Sequence, residues 1–225
     1  LSIHDTPPPS TRSGRAFGAI SFQRDPSHSS GHLIHAFGLV GTFVRGHRAE
    51  SGQHLLSVGR FVEKKAPWLT LLAFQKVLQQ CPDASLTMVG DGPLLPVCKS
   101  LCDDLAIPNV RFLGAKSHDD VATLMQEATI YVQHSVVSSD GDREGTPVSV
   151  SEAMLGGLPV VSTRHQGIAD LIQDGETGFV VDEHDTSAMA AKIVTLLNDE
   201  ALRLTLSVAA KQSIEALKKM IGEEA

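Results

Sequence analysis

The chain has 225 residues, of which 42% are hydrophobic and 20% are charged, and its formal net charge is −7 at pH 7. This composition is that of an ordinary globular protein with enough apolar residues to form a core. The acidic balance argues against a nucleic-acid partner, which would select a basic surface. No apolar run approaches the roughly 20 residues that a membrane-spanning helix needs, and the first residues do not have the layout of a signal peptide.

The first 52 residues differ in character from the rest of the chain. They contain three consecutive prolines at 7–9 and many Ser, Gly and Arg residues, and no helical or strand period is sustained. We interpret residues 1–52 as an atypical leader, either poorly ordered or a remnant. His28, His32 and His35 have helical spacing and could bind zinc, but surface histidines in a weakly ordered segment are the better interpretation.

From residue 53 to residue 225 predicted strands and helices alternate, which indicates a single domain. The strands are short runs of apolar residues at 55–58, 86–89, 110–113, 130–132, 158–161 and 178–181. The helices are predicted over 67–80, 93–105, 117–127, 147–155, 167–172, 187–197 and 200–220. This alternation predicts an α/β fold, a doubly wound, Rossmann-like parallel sheet with helices on both faces. Ligands of such sheets bind at the carboxyl ends of the strands.

The three cysteines predict neither a disulfide framework nor a metal site. Cys98 and Cys102 are four positions apart on a predicted helix, where disulfide geometry is unfavourable. Neither they nor Cys81 have neighbours with metal-ligand spacing. We therefore expect reduced, buried thiols, as in a reducing cytosol.

The most informative feature is Glu144-Gly145-Thr146-Pro147 followed by Glu152, which places two carboxylates eight positions apart across a loop-to-helix junction. Gly145 lets the backbone approach a ligand closely, because it has no Cβ. Thr146 is expected to cap the helix, with Pro147 in its first turn. The helix start offers free N–H groups and a positive dipole end, which suit an anion. Glu152 lies about 7–8 Å further along the axis, so the pair suits a ligand with both anionic and hydroxyl groups, such as a nucleotide sugar.

Cations follow the first predicted strand. Arg60 comes directly after it, with Lys64 and Lys65 a few residues on. Such a group suits a diphosphate, with Arg able to bind through two hydrogen bonds. A functional role is favoured for Arg60, whereas Lys64 is better interpreted as a solvated surface cation.

Two further loops follow predicted strands. The turn Gly90-Asp91-Gly92 does not complete the dinucleotide-binding fingerprint, because Leu95 stands where the third glycine belongs. By itself this turn is weak evidence. The polar loop at 162–167 is equally consistent with a binding loop and with an ordinary connection.

Other chemistries find little support. The Asp-Gly-Asp run at 140–142 could hold a divalent ion, but a solvated loop is the better interpretation because neighbouring ligands are lacking. We predict no metal site. His118, His134 and His165 are scattered without evident partners, and the Gly-x-Ser-x-Gly elbow of a serine hydrolase is not found.

In order and spacing, these segments resemble the C-terminal, donor-binding half of the retaining family 4 glycosyltransferases, which have the two-domain GT-B fold. The similarity runs from about residue 54 to residue 215. The segments that carry it are 57–65, 89–93, 110–114, 143–147, 151–154, 157–161 and 174–178. No single segment is specific, but the ordered set is. Within the family the sequence looks most like the bacterial exopolysaccharide and colanic-acid type.

The resemblance implies a role for each matching residue. Arg60 and Lys65 would neutralise the donor diphosphate without a metal ion, and Glu152 would accept hydrogen bonds from the ribose hydroxyls. Glu144 would be the catalytic residue facing the transferred sugar. Glu144 would be the nucleophile of a double displacement, or it would lie near the sugar while the acceptor attacks from the same face as the leaving phosphate. In the second route the leaving phosphate deprotonates the acceptor. The remaining nucleotide-sugar contacts would come from Gly90, Gly92, Phe112, Leu113, Gly145, Thr146 and Val148.

The sequence also departs from the family pattern. Ala66 stands where glycine commonly follows the lysine, and the loop at 166–170 differs from the usual Gly-Gly-Ile-Pro-Glu. Residues 1–52 do not resemble the acceptor-binding domain. The resemblance therefore implies a donor-binding half that needs its other half for transfer.

Taken together, the sequence predicts a retaining hexosyltransferase of polysaccharide biosynthesis. The donor would be a UDP- or GDP-sugar, the acceptor a saccharide or a lipid-linked saccharide, and no cofactor would be needed. The protein would be cytoplasmic, with peripheral contact at the inner face of the membrane through the acceptor-binding domain. Two alternatives stay open: a nucleotide-binding module without chemistry, and a sugar-nucleotide epimerase of the same fold.

Overall fold

The computed structural model describes residues 52–223. The expectations for the first 51 residues, including those for His28, His32 and His35, lie outside the described residues. The strands are β1 (His54–Val58), β2 (Ser85–Val89), β3 (Val110–Phe112), β4 (Ile130–Val132), β5 (Val160–Thr163) and β6 (Phe179–Val181). The helices are α1 (Pro67–Leu78), α2 (Leu95–Asp104), α3 (His118–Glu127), α4 (Val148–Leu155), α5 (Gln166–Ala169), α6 (Thr186–Asn198) and α7 (Glu200–Glu223). None of the helices in this range is long and apolar enough to span a bilayer.

The strands form one parallel sheet in the order β3-β2-β1-β4-β5-β6. Leu55 of β1 is in register with Leu86 of β2 on one side and with Ile130 of β4 on the other. The chain therefore builds outward from β1 in one direction and then returns to build in the other. This is the doubly wound, Rossmann-like fold that the sequence predicts, and its topological switch point lies between β1 and β4.

Two apolar layers cover the two faces of the sheet. Because neighbouring strand residues point to opposite faces, Leu55 and Leu56 are both fully buried but lie in different layers. Leu55 packs with Phe74 of α1 and Ile193 of α6. Leu56 packs with Met154 of α4. The sheet is thus shielded on both sides, and its polar carboxyl edge is left for the loops.

Most predicted elements lie within about two residues of their observed bounds, and the differences have physical causes. The second helix begins at Leu95 rather than at Pro93, because the Leu94 N–H donates to the carbonyl of Phe61 in another loop. The prediction that Thr146 caps α4 is wrong: the N-cap is Pro147, in extended conformation and without a side-chain capping bond. Thr146 instead lies against Gly167, so its side chain serves packing between loops.

A short 3₁₀ turn at Glu63–Lys65 is not predicted by the sequence. It ends at Ala66, which is buried and has a left-handed backbone with φ 36°. An L-residue in this region costs roughly 1–2 kcal/mol. This strain would be absent with the glycine that commonly stands at this position in the glycosyltransferases that the sequence resembles.

The glycines after β2 are required by packing between loops. Gly90 has φ +136°, and a Cβ there would lie 1.9 Å from the carbonyl oxygen of Gly59. Gly92 has φ +151°, and its Cβ would lie 2.6 Å from the carbonyl oxygen of Phe61. The loops after β1 and β2 therefore touch backbone to backbone, which only glycine allows.

Gly90→Ala should lower the free energy of unfolding by about 3 kcal/mol or more, because backbone strain and a collision with backbone add together. Urea unfolding measures this. The matched control is Gly175→Ala, since Gly175 has φ +80° but no described atom within 4 Å of the added Cβ. The control should lose only about 1–2 kcal/mol. Equal losses in the two variants would contradict the packing argument.

Candidate functional site

The candidate site lies at the carboxyl edge of the sheet, where β1 and β4 diverge. Here the chain runs from β1 into Gly59 and Arg60 and from β4 into Gln133. A pocket between these segments is lined by Gly59, Arg60, Lys65 and Gln133, among others. The fold thus brings Arg60, which the sequence assigns to a diphosphate, to the switch point where ligands of such sheets bind.

An ion pair links Lys65, which lines this pocket, to the loop before α4. The 3₁₀ turn presents Lys65, whose Nζ lies 3.0 Å from Oε2 of Glu144, and the two side chains are 15% and 12% exposed. Burial lowers the pKa of Lys65, and the neighbouring Glu144 carboxylate opposes this shift. Lys65, which is predicted to bind the diphosphate, is therefore in contact with Glu144, the predicted catalytic carboxylate. Breaking a pair this buried would leave an uncompensated charge.

Glu152 is buried on α4, with 5% of its surface exposed. One of its carboxylate oxygens lies 3.5 Å from Nδ1 of His118, at the start of α3. Burial raises the pKa of Glu152, and His118 opposes the shift. Burying an acidic side chain costs stability unless its charge is paired, so the burial of Glu152 favours a binding role for it.

The loop that carries Glu144 has one covered side and one open side. A Cβ at Gly167 would lie 2.6 Å from the carbonyl oxygen of Gly145 and 2.7 Å from Oγ1 of Thr146, so the covered side is in tight contact with the start of α5. A Cβ at Gly145 would meet no described atom within 4 Å. Neither packing nor a positive φ demands glycine at 145, so a ligand approaching the backbone explains it best.

A buried polar network at the end of β4 anchors the start of α4, and sequence reasoning missed it. The Tyr131 hydroxyl lies 2.8 Å from Oγ of Ser149, 3.0 Å from the carbonyl of Val58 and 3.1 Å from Oε1 of Gln133. Burial raises the pKa of Tyr131 above its ordinary value. The network ties β1, β4 and the first turn of α4 together. Only the register of β4 reveals these partners, so the sequence gives no signal for them.

The loop after β5 contributes through His165 rather than through Arg164. The Glu144 N–H donates to Nε2 of His165 at 3.0 Å, and Nδ1 of His165 pairs with Oε1 of Glu183 after β6. Arg164 lies on the surface, 3.6 Å from Asp174 and 3.7 Å from Asp182. The contact of His165 with Glu144 favours a role of the loop at 162–167 in the site over an ordinary connection.

Four residues that the resemblance assigns to nucleotide-sugar contacts, Gly90, Gly92, Phe112 and Leu113, also have structural roles. Gly90 and Gly92 permit the contact between loops described above. The ring of Phe112 lies 6.1 Å from that of Phe61 in a tilted arrangement, and Leu113 packs against the layer of Leu56. Their contact with a nucleotide sugar stays a prediction.

The loop at 138–143 is tied to the 3₁₀ turn. Asp142 lies 2.9 Å from Nζ of Lys64, and Glu63 accepts hydrogen bonds from the backbone and hydroxyl of Ser139, both at 2.8 Å. Asp140 accepts from the Ser138 hydroxyl at 2.5 Å.

Within residues 52–223 no group of three His, Cys, Asp or Glu side chains is placed to hold a metal ion. The three cysteines are free and buried.

Glu152→Gln should make the unliganded protein at least as stable as wild type at pH 7. A raised folded-state pKa contributes stability below the ordinary value of 4.5, and this is lost as pH rises through the folded pKa. The buried carboxylate therefore costs stability at neutral pH, and the gap should close towards about pH 4. Denaturant unfolding across this range measures it, with Glu215→Gln, 54% exposed on α7, as the control. A loss of stability at pH 7 relative to that control would contradict the burial argument.

Comparison with known proteins identifies the family. A family model described as glycosyl transferases group 1 matches residues 44–213. The amylovoran biosynthesis glycosyltransferase AmsK of Erwinia amylovora is 35% identical over 162 residues, covering 72% of this chain and 40% of that protein. The putative colanic acid biosynthesis glycosyltransferase WcaL of Salmonella typhimurium is 33% identical over 140 residues, covering 62% of this chain and 34% of that protein.

A solved structure supports the fold. A point mutant of S. aureus TarM, in complex with fondaparinux, alpha-GlcNAc-glycerol and UDP, matches with a TM-score of 0.70 at 20% identity, covering 91% of this chain and 36% of that one. The chain spans less than half the length of these three proteins. The resemblance to glycosyltransferases seen in the sequence is confirmed, and the chain belongs to the group 1 glycosyltransferases.

Proposed function

We propose that this chain is the donor-binding half of a retaining glycosyltransferase. The complete enzyme would move a hexose from a UDP- or GDP-sugar to a saccharide or lipid-linked acceptor in exopolysaccharide biosynthesis. The observation that carries the proposal is the largely buried Lys65–Glu144 pair beside Arg60 at the switch point. The buried Glu152 lies on the helix that follows.

The charges are arranged for a ligand with a diphosphate between a sugar and a ribose. Arg60 is exposed, Lys65 is half-buried, and both line the pocket, so both would be available to a diphosphate bound there. They would supply the positive charge that a divalent ion supplies in other transferases. Glu152 would accept hydrogen bonds from the ribose hydroxyls, and the open backbone at Gly145 would face the sugar and phosphate.

In the reaction, the bond between the sugar C1 and the diphosphate oxygen breaks, and the electron pair stays on the diphosphate. Arg60 and Lys65 stabilise that charge, the largest contribution expected of such a site. The acceptor hydroxyl oxygen bonds to C1, and its proton passes to the departing phosphate. Glu144, held by Lys65, would stabilise the positive charge that develops on the sugar. A covalent adduct between Glu144 and the sugar is the alternative route to retention.

The names of the relatives support the proposed pathway and donor, and the free thiols support the proposed compartment. AmsK and WcaL are named for the biosynthesis of amylovoran and colanic acid, and TarM was solved with UDP. Free, buried thiols at Cys81, Cys98 and Cys102 suit a reducing compartment. A cytoplasmic location, with peripheral contact at the inner face of the membrane, is part of this proposal.

The chain should bind UDP or GDP in the absence of added metal, and Glu152→Gln should weaken that binding about tenfold or more. The reason is that a charged acceptor of the ribose hydroxyls contributes about 1.5–3 kcal/mol. Isothermal titration calorimetry in the presence of a chelator measures it, with Glu215→Gln as the matched control. Equal affinities for wild type and Glu152→Gln would remove Glu152 from the site.

Glu144→Gln should leave nucleotide affinity unchanged or raise it, because Lys65 is released to the diphosphate. Transfer should fall at least about 100-fold in a protein that also carries the acceptor-binding half. Radiolabelled sugar incorporated into the acceptor is the measurement. Full turnover by this variant would exclude Glu144 from the reaction.

The two rivals are separated by what happens to the donor. A sugar-nucleotide epimerase would change the sugar of the donor without any acceptor, and a non-catalytic module would bind the nucleotide without product even with both halves present. The transferase is favoured because Glu144 and Glu152 flank the start of α4 with the open Gly145 backbone between them.

A further inference from the structure

The backbone of Glu144 has a specific partner that the proposed function does not use. Its N–H donates to Nε2 of His165 at 3.0 Å. His165 is 2% exposed and comes from the loop after β5. The contact joins two segments that are 21 positions apart in the chain, and it fixes the height of the loop above the carboxyl edge of the sheet.

The hydrogen bonds around His165 require one tautomer. Since Nε2 accepts the Glu144 N–H, that nitrogen carries no proton, and the ring proton of a neutral imidazole must be on Nδ1. Nδ1 then donates to Oε1 of Glu183, and Oε2 of Glu183 accepts the N–H of Val137 at 3.0 Å. Both oxygens of Glu183 are acceptors, so its ionised form fits. Burial alone would raise the pKa of Glu183, but the hydrogen bonds from His165 and Val137 lower it.

A second, independent contact holds the same loop. Gly167, at the start of α5, lies so close that an added Cβ would collide with the carbonyl oxygen of Gly145 at 2.6 Å and with Thr146 at 2.7 Å. His165 and Gly167 therefore support the loop from one side, whereas the space around the Cβ direction of Gly145 is open. These contacts hold the loop in a single position, with the open side of the Gly145 backbone directed away from His165 and Gly167.

We propose that His165 and Glu183 are positioning residues that hold the backbone of the Glu144–Thr146 loop in place to receive the diphosphate and the sugar of the donor. The proposal rests on the proposed function for the identity of the ligand. It extends that function to two residues in the loops after β5 and β6, which act through the backbone of Glu144. Such positioning matters because a displacement of about 1 Å is enough to impair a site.

Glu183→Gln is the sharpest variant because it keeps the size of the side chain. An amide has only one acceptor oxygen, whereas His165 Nδ1–H and the Val137 N–H need two. The amide therefore either loses one of the two hydrogen bonds or donates its own N–H to Nδ1 of His165. In the second case the ring proton moves to Nε2, where it faces the Glu144 N–H, and two donors repel each other. Either result should loosen the loop without opening a cavity.

The test compares the affinities of the chain for UDP and UMP by calorimetry. UMP lacks the second phosphate, which the proposal places at the loop. Glu183→Gln should weaken UDP binding about tenfold and UMP binding less than about twofold. The matched control is His54→Ala at the opposite edge of the sheet, where His54 bonds to Thr87 at 2.8 Å, and it should leave the ratio of the two affinities unchanged. An unchanged ratio in Glu183→Gln would overturn the proposal.

A second readout needs no ligand and separates this inference from the proposed function. Ring nitrogen NMR of wild type should show His165 protonated at Nδ1 and not at Nε2. Amide hydrogen exchange at Glu144 should be at least about tenfold faster in Glu183→Gln than in wild type. A wild type protonated at Nε2, or an unchanged exchange rate at Glu144, would overturn the inference even if UDP binds. Failure of wild type to bind any nucleotide, with these two signatures present, would overturn the proposed function alone.

Discussion

The contact between Lys65 and Glu144 links two loops that meet at the switch point of the sheet. One loop follows β1 and forms the 3₁₀ turn, and the other precedes α4. Because both side chains are largely removed from water, each charge depends on the other. A ligand that brings a diphosphate to this place finds a cation already oriented by a carboxylate. The same carboxylate then lies beside whatever is attached to the diphosphate.

The rest of the structure keeps this contact in place. The sheet fixes the ends of β1 and β4 side by side, and the Tyr131 hydroxyl connects both ends to Ser149 of α4. From the other side, His165 and Gly167 support the loop that carries Glu144. Tyr131 and His165 at this edge are therefore paired with other groups of the protein. This is the condition for a site whose geometry exists before the ligand arrives.

The order of the elements could be predicted from the sequence because each strand is a short apolar run between turn residues, as at 55–58 and 130–132. The two carboxylates of the candidate site could be proposed from the sequence, since Glu144 and Glu152 belong to one local segment. His165, Glu183 and Tyr131 could not, because their partners come from other strands and depend on register. The structural need for a particular glycine could not be predicted either. Gly90 is required by contact with the backbone of Gly59 and Gly145 is not, a difference that is visible only once the loops are placed in space.

A structure of the chain with UDP bound would test the central claim most directly. The account predicts that the diphosphate lies within about 3 Å of Arg60 and Lys65, with the ribose hydroxyls on Glu152 and the second phosphate against the backbone of Gly145. UDP bound away from the junction of β1 and β4, with the Lys65–Glu144 pair and Glu152 untouched, would contradict it.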